Sequence, residues 1–213
     1  MSEEKNVSNA DPKTDDATIP VEEARGIIEN ALGVASASQG AHADAVMHFK
    51  AAAELGCADA MRSLGVCCHE GKGVEKDLAA AASWFAKAAE LGDPEAAYNY
   101  AVSLHTGAGV EKNMADAARW YLAAAEKGIV DAMRLLGNCL YFGQGVDQDF
   151  EAAVNWYRQA AEKGNAEAAY RLGACCFNGE GVDEDHIQAI EWLRKAADLG
   201  HARAAMTLRQ LGF

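Results

Sequence analysis

The sequence has few aromatic residues, almost no proline and no long apolar run. Only 8% of its 213 residues are aromatic and three are proline, whereas 50% are hydrophobic and many of these are alanine. Alanine is the strongest helix former, and small side chains let helices approach closely. The composition therefore favours an all-helical protein. The apolar tracts fall far short of the ~20 residues that cross a bilayer, so we expect no membrane insertion.

Basic residues are scarce. The chain has 19 Lys and Arg against 32 Asp and Glu, which gives a formal net charge of −13. A nucleic-acid-binding protein needs a basic stripe, so we expect no nucleic-acid partner. The first residues, Met1-Ser2-Glu3-Glu4-Lys5, are polar and lack the apolar segment of a secretory signal, so we expect none.

The cysteines contain no CxxC pair and include two vicinal doublets, which cannot form ordinary long-range disulfides. We therefore predict free thiols in a reducing, cytoplasmic compartment. The alternative is a secreted or periplasmic protein that is exported without an N-terminal signal peptide. The six residues are Cys57, Cys67, Cys68, Cys139, Cys175 and Cys176.

A period of 36 residues dominates the sequence. Four blocks of equal length, 57–92, 93–128, 129–164 and 165–200, follow one another without insertion. Nine positions carry the same residue in all four blocks. In the first block these are Ala60, Gly71, Gly73, Val74, Ala81, Trp84, Ala88, Ala89 and Gly92. Such periodicity is typical of solenoids that stack one small unit on the next.

Each block predicts two helices joined by a Gly-x-Gly-Val turn. The second helix has the apolar spacing of one helical face, begins after the capping residue Asp77 and ends at Gly92. Its invariant tryptophan is predicted to lie in the core. The first helix buries the side that contains Gly65, a small residue that lets its neighbour approach. No Gly-Lys-Ser/Thr follows the glycine pair, so a phosphate-binding loop is not expected.

The ends of the chain depart from the period. Residues 1–19 are predicted to be a disordered acidic tail, because they are polar and lack periodicity. Residues 20–56 are predicted to form a degenerate N-terminal capping repeat, in which His48 replaces the tryptophan. Residues 201–213 reproduce only a first helix and are predicted to be a C-terminal capping helix.

The combination of glycine pair, capping acid, tryptophan and Ala-Ala pair in residues 132–164 resembles a Sel1-like repeat, a relative of the tetratricopeptide repeat. The resemblance covers 57–200 and implies an all-α, right-handed α/α solenoid that acts as a protein–protein interaction adaptor or scaffold. Some secreted bacterial members carry a disulfide in each repeat, whereas the cysteines here do not recur as a spaced pair in every block.

In the related tetratricopeptide repeats the first helix lines a concave groove, and the resemblance implies a peptide-binding groove here. When the four blocks are aligned, each position of the first helix gives a column of equivalent residues. Four of these columns lie on the side of the first helices that faces away from the predicted core, and their Tyr and Arg residues are typical of contact sites. Packing between adjacent helices is the alternative role for these residues. The columns are Asp59, Glu95, Asp131 and Glu167; Arg62, Tyr98, Arg134 and Tyr170; Val66, Val102, Asn138 and Ala174; and His69, His105, Tyr141 and Phe177. The predicted ligand is a protein or peptide segment with basic and apolar residues.

Catalytic chemistry is not indicated, because the sequence offers no convergent nucleophile, base and orienting group. We therefore expect no enzymatic activity, no cofactor and no metal, and we leave the oligomeric state open. A metal-dependent enzyme that uses His69 and His105 is a remote alternative, since equivalent side chains of adjacent repeats lie too far apart. A thiol switch at Cys175 and Cys176 is also disfavoured, because both are predicted to lie on a packed helix.

Overall fold

The computed structural model describes residues 19–213, and this part of the chain contains eleven helices and no strand. The tail predicted over 1–19 lies outside the described residues, apart from Ile19. None of the helices within 19–213 has both the length and the apolar content to span a membrane. The helices are α1 (Val21–Ser38), α2 (His42–Glu54), α3 (Ala58–Glu70), α4 (Leu78–Glu90), α5 (Pro94–Thr106), α6 (Met114–Glu126), α7 (Val130–Phe142), α8 (Phe150–Glu162), α9 (Ala166–Asn178), α10 (His186–Asp198) and α11 (Ala202–Gln210).

The helices form the right-handed α/α solenoid that the resemblance implies. Within each block the first helix packs on the second, as α3 does on α4, and the second helix then packs on the first helix of the next block, as α4 does on α5. One core therefore runs along the molecule, and alanines from every helix line it. Equivalent residues recur once per repeat along the surface.

The predicted ends of the second helices are confirmed. The Asp77 carboxylate accepts hydrogen bonds from the N–H groups of Ala79 and Ala80, both at 2.9 Å. Equivalent side chains cap α6, α8 and α10. Gly92 follows the end of α4 with φ of +90°, a conformation that glycine adopts without strain.

The Gly-x-Gly-Val turn also sets the distance between repeats. Gly107 and Gly109 both have positive φ. The second glycine lies against the backbone of Leu78, the first residue of the preceding second helix, and a Cβ atom there would overlap its carbonyl group. The same contact recurs in all four turns. The second glycine is therefore required where one repeat meets the previous one.

The tryptophans do not occupy the centre of the core, contrary to the prediction. Trp84 and its three equivalents are only half-buried, whereas the residue that follows each of them is buried. In the first repeat the ring of Phe85 lies directly over Gly65, where a Cβ atom would come within 2.5 Å of Cε1. Gly65 of the first helix thus packs against the ring of Phe85 rather than against Trp84. The indole of Trp84 therefore lies at the edge of the core. The residues at this central position are Phe85, Tyr121, Tyr157 and Leu193.

The first hairpin departs from the 36-residue register. Helix α2 keeps the repeat pattern and buries Phe49 at the central position. However, the turn between α1 and α2 spans only 39–41, compared with 71–77 in the first full repeat. As a result Gly33, rather than residue 29, receives the ring of Phe49. Within the capping repeat predicted over 20–56, α2 thus keeps the register of the full repeats, whereas α1 is shifted by four residues.

Helix α11 follows the pattern of a first helix. It packs on α10 and buries Ala204 and Leu208, the two residues that the period places in register. It therefore lies against the second helix of the last full repeat.

Candidate functional site

The four predicted columns lie on one surface of α3, α5, α7 and α9, which we call the first-helix face. On α3, Asp59 and His69 are exposed and Arg62 is half-buried, whereas the intervening Leu64 and Gly65 are buried. The face thus lies at the boundary of the core, where side chains contact solvent and the next repeat.

Arg62 links two repeats. Its Nε atom donates a hydrogen bond to Asp93, the residue before α5, and its Nη2 atom donates to Asp59, both at 2.9 Å. The side chain of Asp93 is only 7% exposed. It also caps α5 by accepting a hydrogen bond from the N–H group of Ala96 at 2.7 Å. Because a guanidinium between two carboxylates is held firmly, Arg62 contributes to the contact between repeats.

An equivalent link joins α9 to α11. Glu167 accepts hydrogen bonds from Nε2 of His201 at 2.7 Å and from Nε of Arg171 at 2.8 Å. Burial alone would raise the pKa of Glu167, but these two hydrogen bonds hold the pKa below its ordinary value. The ring of Tyr170 stacks on His201 with centroids 4.5 Å apart. Two column residues, Glu167 and Tyr170, therefore fix the last helix.

The links are weaker between α7 and its neighbours. Asn165, which precedes α9, donates a hydrogen bond to Asp131 at 3.2 Å. Arg134 lies 3.7 Å from the same carboxylate. Tyr98 packs near Tyr121 with ring centroids 6.3 Å apart, and burial with the nearby Asp131 raises the pKa of Tyr98. The alternative role of packing between repeats thus applies to much of the two columns that begin with Asp59 and Arg62.

The carboxylates of Asp59, Glu95 and Asp131 remain exposed in spite of these links. They occur once per repeat along one side of the first-helix face, and we call them the acidic edge. A row of exposed carboxylates favours a cationic ligand beside it.

Two depressions lie at the N-terminal half of the face. One lies between α3 and α5, has a volume of about 460 Å³ and is lined by the predicted residues Val66, His69, Tyr98 and Val102. The other, of about 330 Å³, lies between the first hairpin and α3. Val66 and Glu70 border both depressions, so the two form one surface across α3.

A third depression lies at the other end of the face. It has a volume of about 230 Å³ between α9 and α11, and its lining is mainly apolar. The predicted residues Tyr170, Ala174 and Phe177 contribute to it, and Leu193 and Leu211 complete it. Most residues of the two columns that begin with Val66 and His69 therefore line the depressions at the two ends of the face.

In the middle of the face three column residues contact side chains that lie outside the columns. Tyr157 donates a hydrogen bond to Asn138 at 2.8 Å. Tyr141 donates to Glu180 at 2.6 Å, and burial with this contact raises the pKa of Tyr141 to about 12. The Tyr121 hydroxyl lies 3.3 Å from Nδ1 of His105, whose pKa is lowered by burial.

No group of three or more His, Cys, Asp or Glu side chains within 19–213 is arranged to hold a metal ion. His69 is exposed on α3, whereas His105 contacts Tyr121. The thiols of Cys175 and Cys176 are buried, and burial raises both pKa values.

Comparison with protein families gives a match to the Sel1 repeat over 42–57, 58–93, 94–129, 130–165 and 166–201. This chain belongs to the Sel1 repeat family. Sel1 repeat proteins are generally protein–protein interaction scaffolds and generally lack enzymatic activity. The matched blocks begin one residue later than the sequence period suggested, and α1 lies outside them.

Several solved structures are similar to this Sel1 repeat chain. A protective antigen of uropathogenic Escherichia coli strains with an SLR fold has 31% identity and a TM-score of 0.81 over 86% of this chain, which spans only 40% of that protein. A Sel1 repeat protein from Oxalobacter formigenes has 30% identity and a TM-score of 0.79 over 85% of this chain and 76% of its own. Cysteine rich protein B of Helicobacter pylori has 26% identity and a TM-score of 0.50 over 62% of this chain and 95% of its own. No curated protein matches the chain.

The column next to the predicted ones contributes to the site and was missed by the sequence analysis. Ser63, Asn99 and Thr207 each line a depression, whereas Leu135 and Arg171 occupy the equivalent positions in the middle of the face. The change from polar Ser63 and Asn99 to the larger Leu135 and Arg171 and back to Thr207 can be seen when the repeats of this chain are aligned with one another. It would have indicated where a depression can form between successive first helices.

Proposed function

We propose that this Sel1 repeat chain binds an extended segment of a protein partner on its first-helix face. The observation that carries this proposal is the continuous surface formed across α3 by two depressions that share Val66 and Glu70. Depressions on either side of a half-buried apolar residue suit two apolar side chains of one segment.

The acidic edge indicates that the ligand also carries a basic residue. Asp59 and Glu95 are exposed one helical turn before Arg62 and Tyr98, which line these depressions, and the whole chain carries a net charge of −13. A basic residue next to the apolar anchors would gain from both the local and the overall field. The two depressions lie on either side of α3, and a helix with its side chains is ~10–12 Å wide, so the two anchors should be about three residues apart in an extended segment.

The experiment selects ligands from a random peptide library displayed on phage, with the full chain as bait. The selected peptides are expected to combine apolar residues at this spacing with Lys or Arg. Their affinities are then measured by calorimetry for the wild-type chain and for Val66→Arg. This substitution places a bulky cation between the two depressions, and we expect it to weaken binding at least about tenfold.

Leu122→Arg is the matched control, because Leu122 is 39% exposed on the second helix α6, outside the depressions. It changes the charge equally and should leave the affinity unchanged. Both variants are checked for native circular dichroism and thermal stability. Equal affinities for Val66→Arg and Leu122→Arg would refute the proposed site.

We further propose that the chain works in the cytoplasm, where thiols remain reduced. All six cysteines are free, and burial raises the pKa of Cys139 to about 11. The alternative is a secreted or periplasmic effector or regulator of the cysteine-rich Sel1-like type, whose repeats carry disulfides. Counting free thiols in protein isolated from its native source under alkylating conditions separates the two: six free thiols support the cytoplasm, and oxidised pairs would contradict it.

A further inference from the structure

Helix α1 has an apolar surface that faces away from the rest of the solenoid. Its opposite side is buried through Gly26 and Gly33, and Gly33 lies under the ring of Phe49. Among the helices of 19–213, α1 exposes the most large apolar residues. They are Val21, Ile27, Ile28, Leu32 and Val34, with exposed fractions between 45% and 76%.

The corresponding surface is covered in the repeats that follow. Because Gly33 takes the place of Gly65, Ile28 and Leu32 occupy the positions of Ala60 and Leu64, which are 0% and 1% exposed. Helix α2 packs beside α3 there. No preceding helix within 19–213 covers α1. A terminal repeat normally presents a polar outer face, so an apolar one indicates an interaction surface.

A second copy of the chain carries a matching apolar surface. Covering a surface of five large apolar residues requires a comparable number of apolar partners. Residues 1–18 contain only two large apolar side chains, Met1 and Val7. Helix α1 of a second copy would supply five.

Five apolar residues of α1, a set that does not include Ile27 and Val34, are spaced symmetrically about Ile28. Val21 and Ala24 precede it by seven and four residues, and Leu32 and Ala35 follow it by four and seven. All five share one face of the helix. In an antiparallel pair of α1 helices, with a two-fold axis at Ile28, Val21 would meet Ala35 and Ala24 would meet Leu32. Val21 and Leu32 would thus each pack against an alanine, and the two Ile28 side chains would meet at the axis.

The charges select the same arrangement. Glu22 and Glu23 lie in the first turn of α1, and the last turn has no basic residue. A parallel pair would bring four carboxylates together, whereas an antiparallel pair places them at opposite ends. We propose that α1 is a dimerisation helix and that two copies of the chain pack their α1 helices antiparallel about Ile28. Such an interface uses one patch on each copy and closes after two copies.

Sedimentation velocity of the full chain over a concentration series tests the proposal. We expect a reversible species of twice the 22.6 kDa chain mass. Salt should strengthen it, because each copy carries a net charge of −13. Ile28→Asp would bury two unpaired carboxylates at the axis and should raise the dimer dissociation constant at least about tenfold.

Met206→Asp is the matched control, because Met206 is 58% exposed on α11 at the other end of the solenoid. It should leave the dimer intact. A wild-type chain that stays monomeric at every concentration would overturn the proposal. Head-to-tail association of α1 with α11 would overturn it as well, and it would be recognised by masses that grow beyond two copies and by equal sensitivity to both substitutions.

Crosslinking tests the orientation of the helices. Val21→Cys and Ala35→Cys are introduced into separate chains in which the partly exposed Cys57 and Cys67 are replaced by alanine. A short bis-maleimide should join the two different chains when they are mixed. Crosslinks between two Val21→Cys chains alone would indicate a parallel pair and would overturn the proposed arrangement.

Discussion

The contact between Gly65 and the ring of Phe85 sets how closely the two helices of the first repeat approach. A Cβ atom on Gly65 would lie 2.5 Å from Cε1 of Phe85. Overpacking of a tight core costs about 1–3 kcal/mol, whereas alanine gains only up to ~1 kcal/mol over glycine in a helix. We therefore expect Gly65→Ala to lower the free energy of unfolding in urea by about 1–2 kcal/mol.

Gly173→Ala is the control at the same position of the fourth repeat. There the new Cβ atom would lie 3.1 Å from Cγ of Leu193, a flexible side chain that can shift. The loss should accordingly be smaller than at Gly65. Equal losses for the two substitutions would show that the aromatic ring does not limit the approach of the helices.

Buried thiols provide a second prediction at the residue scale. Burial raises the pKa of Cys139 to about 11 and that of Cys175 to about 12, so at pH 8 only about one in a thousand or fewer of these thiols is ionised. The thiolate is the reactive form. In the native chain at pH 8 we expect iodoacetamide to modify the half-buried Cys57 well before Cys139 and Cys175, as measured by peptide mass spectrometry.

The same shifts predict a loss of stability in alkali. Folding raises these pKa values above the ordinary value of 9.0, so the native state holds its thiol protons more tightly than the unfolded chain. The contribution is complete below pH 9 and is lost as the pH rises through 11 to 12.

In the iodoacetamide experiment, denaturant should make all six cysteines reactive. Rapid modification of Cys139 in the native chain would contradict this account.

At the scale of the helix, capping explains how the solenoid ends. His201 accepts a hydrogen bond from the N–H group of Ala204 through Nδ1 at 3.1 Å and donates through Nε2 to Glu167 at 2.7 Å. The neutral Nε2–H form satisfies both contacts. His201→Ala removes the cap and a hydrogen bond to a carboxylate, so we expect a loss of about 1–3 kcal/mol in stability. Amide hydrogen exchange in α11 should become faster.

His186→Ala serves as the comparison for this prediction. His186 also stacks on an aromatic ring, that of Phe177 at 4.6 Å, and lies 3.0 Å from Glu184. Its side chain is 58% exposed, so its removal should cost less than about 0.5 kcal/mol. If exchange in α11 accelerated equally in both variants, the cap would not be what holds this helix.

Most helices could be predicted from sequence because their signals are local. Asp77 and Gly92 mark the ends of α4 through the backbone groups that they satisfy. The position of the tryptophan could not be predicted in this way. Trp84 and Phe85 share one apolar stripe, and the ring that lies over Gly65 is decided by packing between two helices. The shift of α1 depends likewise on a shorter turn, which leaves no mark in the period.

For the predicted columns, too, periodicity predicts where the residues lie but not which contacts they make between repeats. Periodicity correctly placed Val66, Tyr98 and Val102 on one surface, and they line one depression. It could not show that Arg62 is bound to Asp93, because that contact joins residues 31 positions apart in different repeats. The openness of the face depends on such pairings. The sequence therefore predicts the row of positions but not which of them remain available to a ligand.

At the scale of the whole molecule, neighbouring repeats are coupled by a backbone contact between each Gly-x-Gly-Val turn and the preceding repeat. Gly107 and Gly109 lie in the same turn, with φ of +78° and +74°. Alanine in this conformation costs about 1–2 kcal/mol at either position. At Gly107 the nearest atom to a new Cβ would be Cβ of Lys112 at 3.5 Å, an ordinary contact. At Gly109 the new Cβ would overlap the carbonyl group of Leu78 in the preceding repeat.

Gly109→Ala should therefore cost more than Gly107→Ala, and the additional loss should fall on the coupling between repeats. In a solenoid, weaker coupling lets the two halves unfold separately. We expect urea unfolding of Gly107→Ala, followed by tryptophan fluorescence and circular dichroism, to keep a single transition with an unchanged slope. Gly109→Ala should broaden the transition and lower its slope. Identical parallel shifts in both variants would mean that this backbone contact does not transmit stability along the chain.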